Sequence, residues 1–137
     1  MTVAIALYGE AKIYRAGVEA WKRDVPEGWE VKVFDGKGLK NPMFGRFLVH
    51  DQVKGPYIVR DADSRFIERD RLLVQQWLDS ERTFHVIRDH PHHDRPMMGG
   101  MWGGHGKKRF KMGKLIEQWG KVVDAYNNDQ DFLAEVV

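Results

Sequence analysis

The sequence predicts an α/β domain of three layers, α/β/α, around a mostly parallel sheet, and three observations predict it. Short apolar runs rich in β-branched residues alternate with longer stretches of helical period, in the order β-α-β, β-α-β, then loop and helices. The apolar run Tyr57-Ile58-Val59 leads into two acids one residue apart, Asp61 and Asp63, and open α/β sheets place their ligands at that end of a strand. The length of 137 residues suits one domain, and no linker, repeat or low-complexity segment divides residues 1–137.

Each element has its own justification. Thr2–Tyr8 is a strand stopped by Gly9. It lacks the basic flank of a signal peptide. Ala11–Arg23 is a helix with Tyr14, Val18 and Trp21 on one face, and Pro26-Glu27-Gly28 is a turn. Glu30–Phe34 alternates and forms a second strand. Asn41–His50 is apolar around Arg46 and predicts a short helix or turn packed on the sheet, from which Arg46 emerges into a polar pocket or snorkels to solvent. After the strand from Tyr57, the spacing predicts a helix over 64–79, with Ser64 as N-cap and Asp70 as an odd acid on its apolar face. Thr83–Ile87 is a strand leading into a polar loop, Arg88–Arg95. Pro96–Gly106 reads as a flexible glycine-rich loop around Trp102. A helix follows from about Lys111 to Tyr126, and a short one over 129–137 is capped by Asp129.

Composition bounds the chemistry. There is no cysteine, which excludes disulfides, thiolate zinc and thiol catalysis. That usage fits a cytoplasmic protein (the host cytoplasm if the chain is viral). No apolar run nears the roughly 18 residues of a membrane span, so no membrane partner is expected. The net charge of +2 implies no polyanion by itself. The segment 105–114, however, carries Lys107, Lys108, Arg109, Lys111 and Lys114 with no acid.

Four motifs could carry chemistry. Asp61 and Asp63, sent to one side by strand alternation, suit Mg²⁺ or Mn²⁺, which takes oxygen ligands and shares its shell with water and phosphate. Arg60 and Arg65 flank them and either neutralise phosphate or balance the acids. His90, His92 and His93 sit with Asp89 and Asp94 in a loop that Pro91 interrupts. Their spacing matches no helix-based zinc motif, and hydrogen bonding beside a phosphate is the alternative to simple surface polarity. Gly99–Gly104 around Trp102 is neither a dinucleotide fingerprint nor a P-loop, and reads either as a wall against a sugar or as a packing loop. Asp129-Gln130-Asp131 either orients sugar hydroxyls or simply caps its helix.

Four blocks together, Phe44–Leu48, Tyr57–Arg65, Phe84–Pro91 and Gly99–Gly103, resemble glycosyltransferases with the A-type (GT-A) nucleotide-sugar fold. More narrowly they resemble a compact bacterial, phage and giant-virus branch with Arg-Asp-x-Asp-Ser-Arg. Asp129–Leu133 is similar to the Asp-Gln-Asp segment of retaining, glycogenin-like transferases. The resemblance covers about residues 3–137. It implies a UDP-type sugar donor, with Mn²⁺ or Mg²⁺ on Asp61 and Asp63. It also implies Tyr8, Gly9 and Arg46 near the nucleotide and the Asp129–Asp131 segment along the donor sugar. In the family a later His completes the metal site, and these residues supply no counterpart.

The expectation is therefore a metal-dependent glycosyltransferase. Asp129, Gln130, Asp131 and His90 are its catalytic candidates. Tyr8, Gly9, Arg46, Arg60, Asp61, Arg65, Arg88, Gly100 and Trp102 are its donor contacts. Lys107, Lys108, Arg109 and Lys111 would meet an acceptor, with a hydroxymethylated DNA base as the sharpest candidate. Two rivals stand beside it: a non-catalytic nucleic-acid-binding module, and a metal-dependent phosphohydrolase or nucleotidyltransferase using the same acids.

Overall fold

The computed structural model describes residues 1–106, 109–119 and 128–137. It is an α/β fold. Five strands, β1 (Thr2–Ala6), β2 (Glu30–Phe34), β3 (Pro56–Arg60), β4 (His85–Val86) and β5 (Met101–His105), form one sheet in the order β2-β1-β3-β5-β4. β1 pairs in parallel with both β2 and β3, whereas β5 runs antiparallel between β3 and β4. The sheet is thus mixed rather than mostly parallel by pairing, because the glycine-rich segment expected as a loop is an inserted strand.

Gly103 and Gly104 make that insertion possible. Gly104 faces Tyr57 in the register, and a Cβ built on Gly103 would stand 2.5 Å from the Tyr57 carbonyl oxygen. Only bare backbone fits so close to β3. The same glycines have low strand propensity, which hid the strand in the sequence.

The sheet's alternation divides the interior in two. Val3, Ile5 and Ile58 face Val18 and Trp21 of α1 (Lys12–Asp24) and Val74 and Trp77 of α3 (Glu68–Asp79). Ala4, Tyr57, Val59 and Trp102 face the other way, against Phe44 and Phe47 of the 3-10 helix Pro42–Leu48 and Val49 of α2 (Val49–Gln52). Met112 of α4 (Met112–Trp119) and Phe132 and Leu133 of α5 (Asn128–Val136) complete that second cluster. The β1-to-β2 connection therefore lies on one face and the β2-to-β3 connection on the other. That reversal opens a crevice between the C-terminal ends of β1 and β3.

Two expectations shift here. The helix over 64–79 begins only at Glu68: the Ser64 hydroxyl donates back to the Asp61 carbonyl at 2.7 Å, closing a turn instead of capping forward amides. Tyr14 is not on the buried stripe of α1. It is 42% exposed, and burial on that helix begins at Gly17. The predicted helix beyond Trp119 falls outside the described residues. Among the described residues no helix is long and apolar enough to cross a membrane.

Candidate functional site

The crevice is a cleft of about 630 Å³, lined by Ala6 at the end of β1, Leu7 and Tyr8 beyond it, Tyr14 of α1, Asn41 to Met43, Arg46, Asp61 to Asp63, Gly99, Gly100, Asp129 and Gln130. Arg46 is its centre. The 3-10 helix starts where the Asn41 side chain accepts the Met43 amide at 2.9 Å, with Pro42 at its first position. Phe44 and Phe47 then anchor it by edge-to-face and stacked contacts with Phe132. This leaves the Arg46 side chain only 3% exposed beneath the cleft.

Its guanidinium forks. One nitrogen donates to Asp61, and the other donates to Asp129 at 2.8 Å. Burial alone would lower the arginine pKa, but the two carboxylates outweigh it and the pKa is raised. The Nε–H finds no acceptor among the described residues. Arg46 therefore ties three distant parts of the chain, the 3-10 helix, the end of β3 and the start of α5, into one charged floor.

Asp61 and Asp63 both line the cleft, by a different route from strand alternation. β3 ends at Arg60, and residues 61–64 turn back on themselves through the Ser64 amide and hydroxyl, both bonded to the Asp61 carbonyl. Asp61 remains 46% exposed despite its link to Arg46, and Asp63 is exposed with no side-chain partner among the described residues. Gly100 closes against Asp61 and Gly99 against Asp129 so tightly that a Cβ on either would collide with the carboxylate. Tyr8 and Tyr14, about equally exposed, form an aromatic lip beside them. The Tyr8 hydroxyl pKa is raised, first by partial burial, with Tyr14, Asp129 and Asp61 adding to it against Arg46.

Several candidates lie elsewhere. Trp102 is fully buried between Phe47 and Tyr57, so it is a core residue and covers no ligand. Arg60 points to the opposite face. There it meets Asp70 at 3.2 Å, the carbonyls of Val59 and Trp102, and His85. Burial lowers its pKa and Asp70 partly restores it, which explains the acid on the apolar stripe of α3. The same burial, with Arg60 alongside, depresses His85 to about 4.

Arg65, Arg88 and His90 do not line the cleft, and Gly9 borders a neighbouring groove with Arg15, Lys32 and Lys37. Asp131 turns outward to Arg95 at 3.1 Å. Lys107 and Lys108 lie outside the described residues, while Arg109 and Lys111 are exposed away from the cleft. Tyr14 and Asn41 are among the lining residues that sequence reasoning did not place in the site. A tyrosine on the first turn of a helix that begins beside the crevice was the available signal for the first.

The donor set suits a small hard cation better than zinc. Two carboxylates at the mouth leave most of a coordination shell to water and phosphate oxygens, as Mg²⁺ and Mn²⁺ prefer. No group of three or more metal-ligating side chains occurs among the described residues. In the histidine loop, Nδ1 of His90 and of His93 accept the amides of His92 and Asp89.

The fold and site together define an α/β domain with an acidic, arginine-floored cleft at the switch point of its sheet. Comparison with protein-family models, curated proteins and solved structures returned no significant match in any of the three.

Proposed function

We propose that the chain is a metal-dependent glycosyltransferase acting on a UDP-type nucleotide sugar, with the three-layer architecture of the A-type fold. The observation that carries the reading is the meeting of Asp61, Asp63, Arg46 and Asp129 in one cleft at the sheet's switch point. A volume of about 630 Å³ lies within the roughly 300–1,000 Å³ range of small-molecule clefts, ample for a nucleoside diphosphate and one sugar.

In this reading Asp61 and Asp63 hold Mn²⁺ or Mg²⁺, which when bound neutralises charge on the departing diphosphate. Arg46 supplies a fixed positive charge beneath that position, preorganised by Asp61 and Asp129. Tyr8 and Tyr14 offer flat faces to the base. Asp129 and Gln130, at the start of α5, face the sugar. The acceptor oxygen forms the new glycosidic bond as the bond from anomeric carbon to diphosphate breaks. The diphosphate keeps the electron pair, and the acceptor's proton passes to it or to a cleft carboxylate.

Calorimetric titration with UDP, UDP-sugars and free nucleotides, each with and without Mn²⁺, tests the proposal. Tight binding that needs both the diphosphate and the metal, and is lost in Asp61→Ala, is the expected result. Binding of nucleotides indifferent to metal and to Asp61→Ala would remove the ion from the mechanism. Phosphate release from free nucleotides, without sugar transfer, would favour the phosphohydrolase alternative.

A further inference from the structure

We infer that a second, smaller cavity behind Asp61 is the acceptor subsite, and that it takes a single ring bearing one anionic group. The inference rests on the transfer reading above and names the class of its second substrate. The cavity holds about 180 Å³, below the roughly 300 Å³ where drug-sized ligands begin, so one ring fills it and a nucleotide does not. Trp21, Leu73, Ile87 and Met101 give it an apolar floor.

Its position is the first argument. The two cavities share Asp61 and Gly100 and no other lining residue. Ligands seated in both would meet at that wall, and transfer between two molecules needs such a meeting. Gly100 keeps the wall thin, since any side chain there would strike the Asp61 carboxylate.

Its charge is the second. Three arginines reach the cavity, and two are committed: Arg60 to Asp70, and Arg69 to Asp89 at 2.5 Å. The bond from Arg69 holds the Asp89 carboxyl below its usual pKa. Arg65 differs. It is exposed and, among the described residues, donates only to main-chain carbonyls, of Ser64 at 2.8 Å and Asp63 at 3.3 Å. Those neutral acceptors are weaker partners than an anion, so Arg65 is the rim cation that an incoming phosphate or carboxylate captures. A ring on the apolar floor with its anion on Arg65 can present a hydroxyl toward Asp61.

Phenyl phosphate is the probe, with inorganic phosphate and benzyl alcohol as controls that each carry one of its two features. Titrations are followed by NMR of isoleucine and methionine methyl groups. Phenyl phosphate is expected to shift Ile87 and Met101 and to bind about tenfold tighter than either control. That advantage is expected to vanish in Arg65→Glu and to survive in Arg65→Lys, the size of change one charge-assisted contact gives. UDP with Mn²⁺, titrated into the same variants, reports on the larger cleft separately and should be unaffected. Shifts at Met43 without Ile87, or equal affinity in the wild type and Arg65→Glu, overturn the inference. Phenyl phosphate seated at Ile87 in a protein that ignores UDP and Mn²⁺ supports the ligand class and overturns the transfer reading instead.

Discussion

One arginine carries much of the site's integrity. Arg46 is buried with a carboxylate on each arm of its fork, so removing it leaves Asp61 and Asp129 facing each other without compensation. Arg46→Ala is expected to cost about 3–5 kcal/mol, measured by urea unfolding, as truncation of one member of a buried ion pair does. Arg46→Lys should recover only part, because an ammonium cannot span two acids in the plane of a guanidinium. Trp102 offers the contrasting case. It is buried, and its indole N–H has no acceptor among the described residues. Trp102→Phe should lower stability by about 1–3 kcal/mol through lost volume and leave nucleotide affinity unchanged. A selective loss of affinity in that variant would return Trp102 to the ligand.

Among the elements, β5 and α4 depend on contacts far along the chain. β5 exists because glycine lets it approach β3, so Gly103→Ala should destabilise the protein by about 1–3 kcal/mol through overpacking, seen as a lower melting temperature. The start of α4 is capped by a side chain some sixty residues upstream: Asp51 accepts the amides of Met112 at 2.9 Å and Gly113 at 2.8 Å. Asp51→Ala removes both acceptors and should cost about 1–2 kcal/mol in urea unfolding, as lost N-caps do. Hydrogen exchange at Met112 and Gly113 should quicken in that variant before the rest of the domain responds.

Across the whole molecule, pH acts through the face of the sheet that packs on α3, where His85 lies against Trp77. His85 is held near pKa 4 by burial and by Arg60, against about 6.5 when unfolded. Between those values the unfolded chain binds the extra proton, so stability rises with pH there. It is complete above about pH 6.5 and lost as pH falls through 4. Thermal unfolding between pH 4 and 7 should show this slope, and His85→Gln should flatten it. An equal slope in that variant would assign the effect to other groups. Ligand linkage is global too: UDP with Mn²⁺ at a hundred times its dissociation constant should add about 2.7 kcal/mol to unfolding, in the wild type but not in Asp61→Ala.

Much of this was legible along the chain. The run Tyr57–Arg60 ending in acids located β3 and the end of it that borders the cleft, because apolar residues and a turn signal are local properties. Helices at α1 and α3, a short helix or turn around Arg46 and a short helix near Asp129 were readable for the same reason, but Tyr14 is off the buried stripe of α1, and α5 already includes Asn128, so Asp129 sits inside its first turn and binds Arg46 instead of capping it. What could not be read was partnership across distance. Arg60 and Arg46 look alike in sequence, each a lone cation beside or within an apolar run, yet one neutralises Asp70 behind the sheet and the other underlies the cleft. Trp102 among glycines read either as a cover over a sugar or as packing, and the structure makes it core. The sequence by itself determined which segments are apolar, periodic or turning, since those depend on neighbours a few residues away. Only the tertiary structure decided which charges meet, because pairing depends on the face each side chain takes once the sheet's order and strand directions exist.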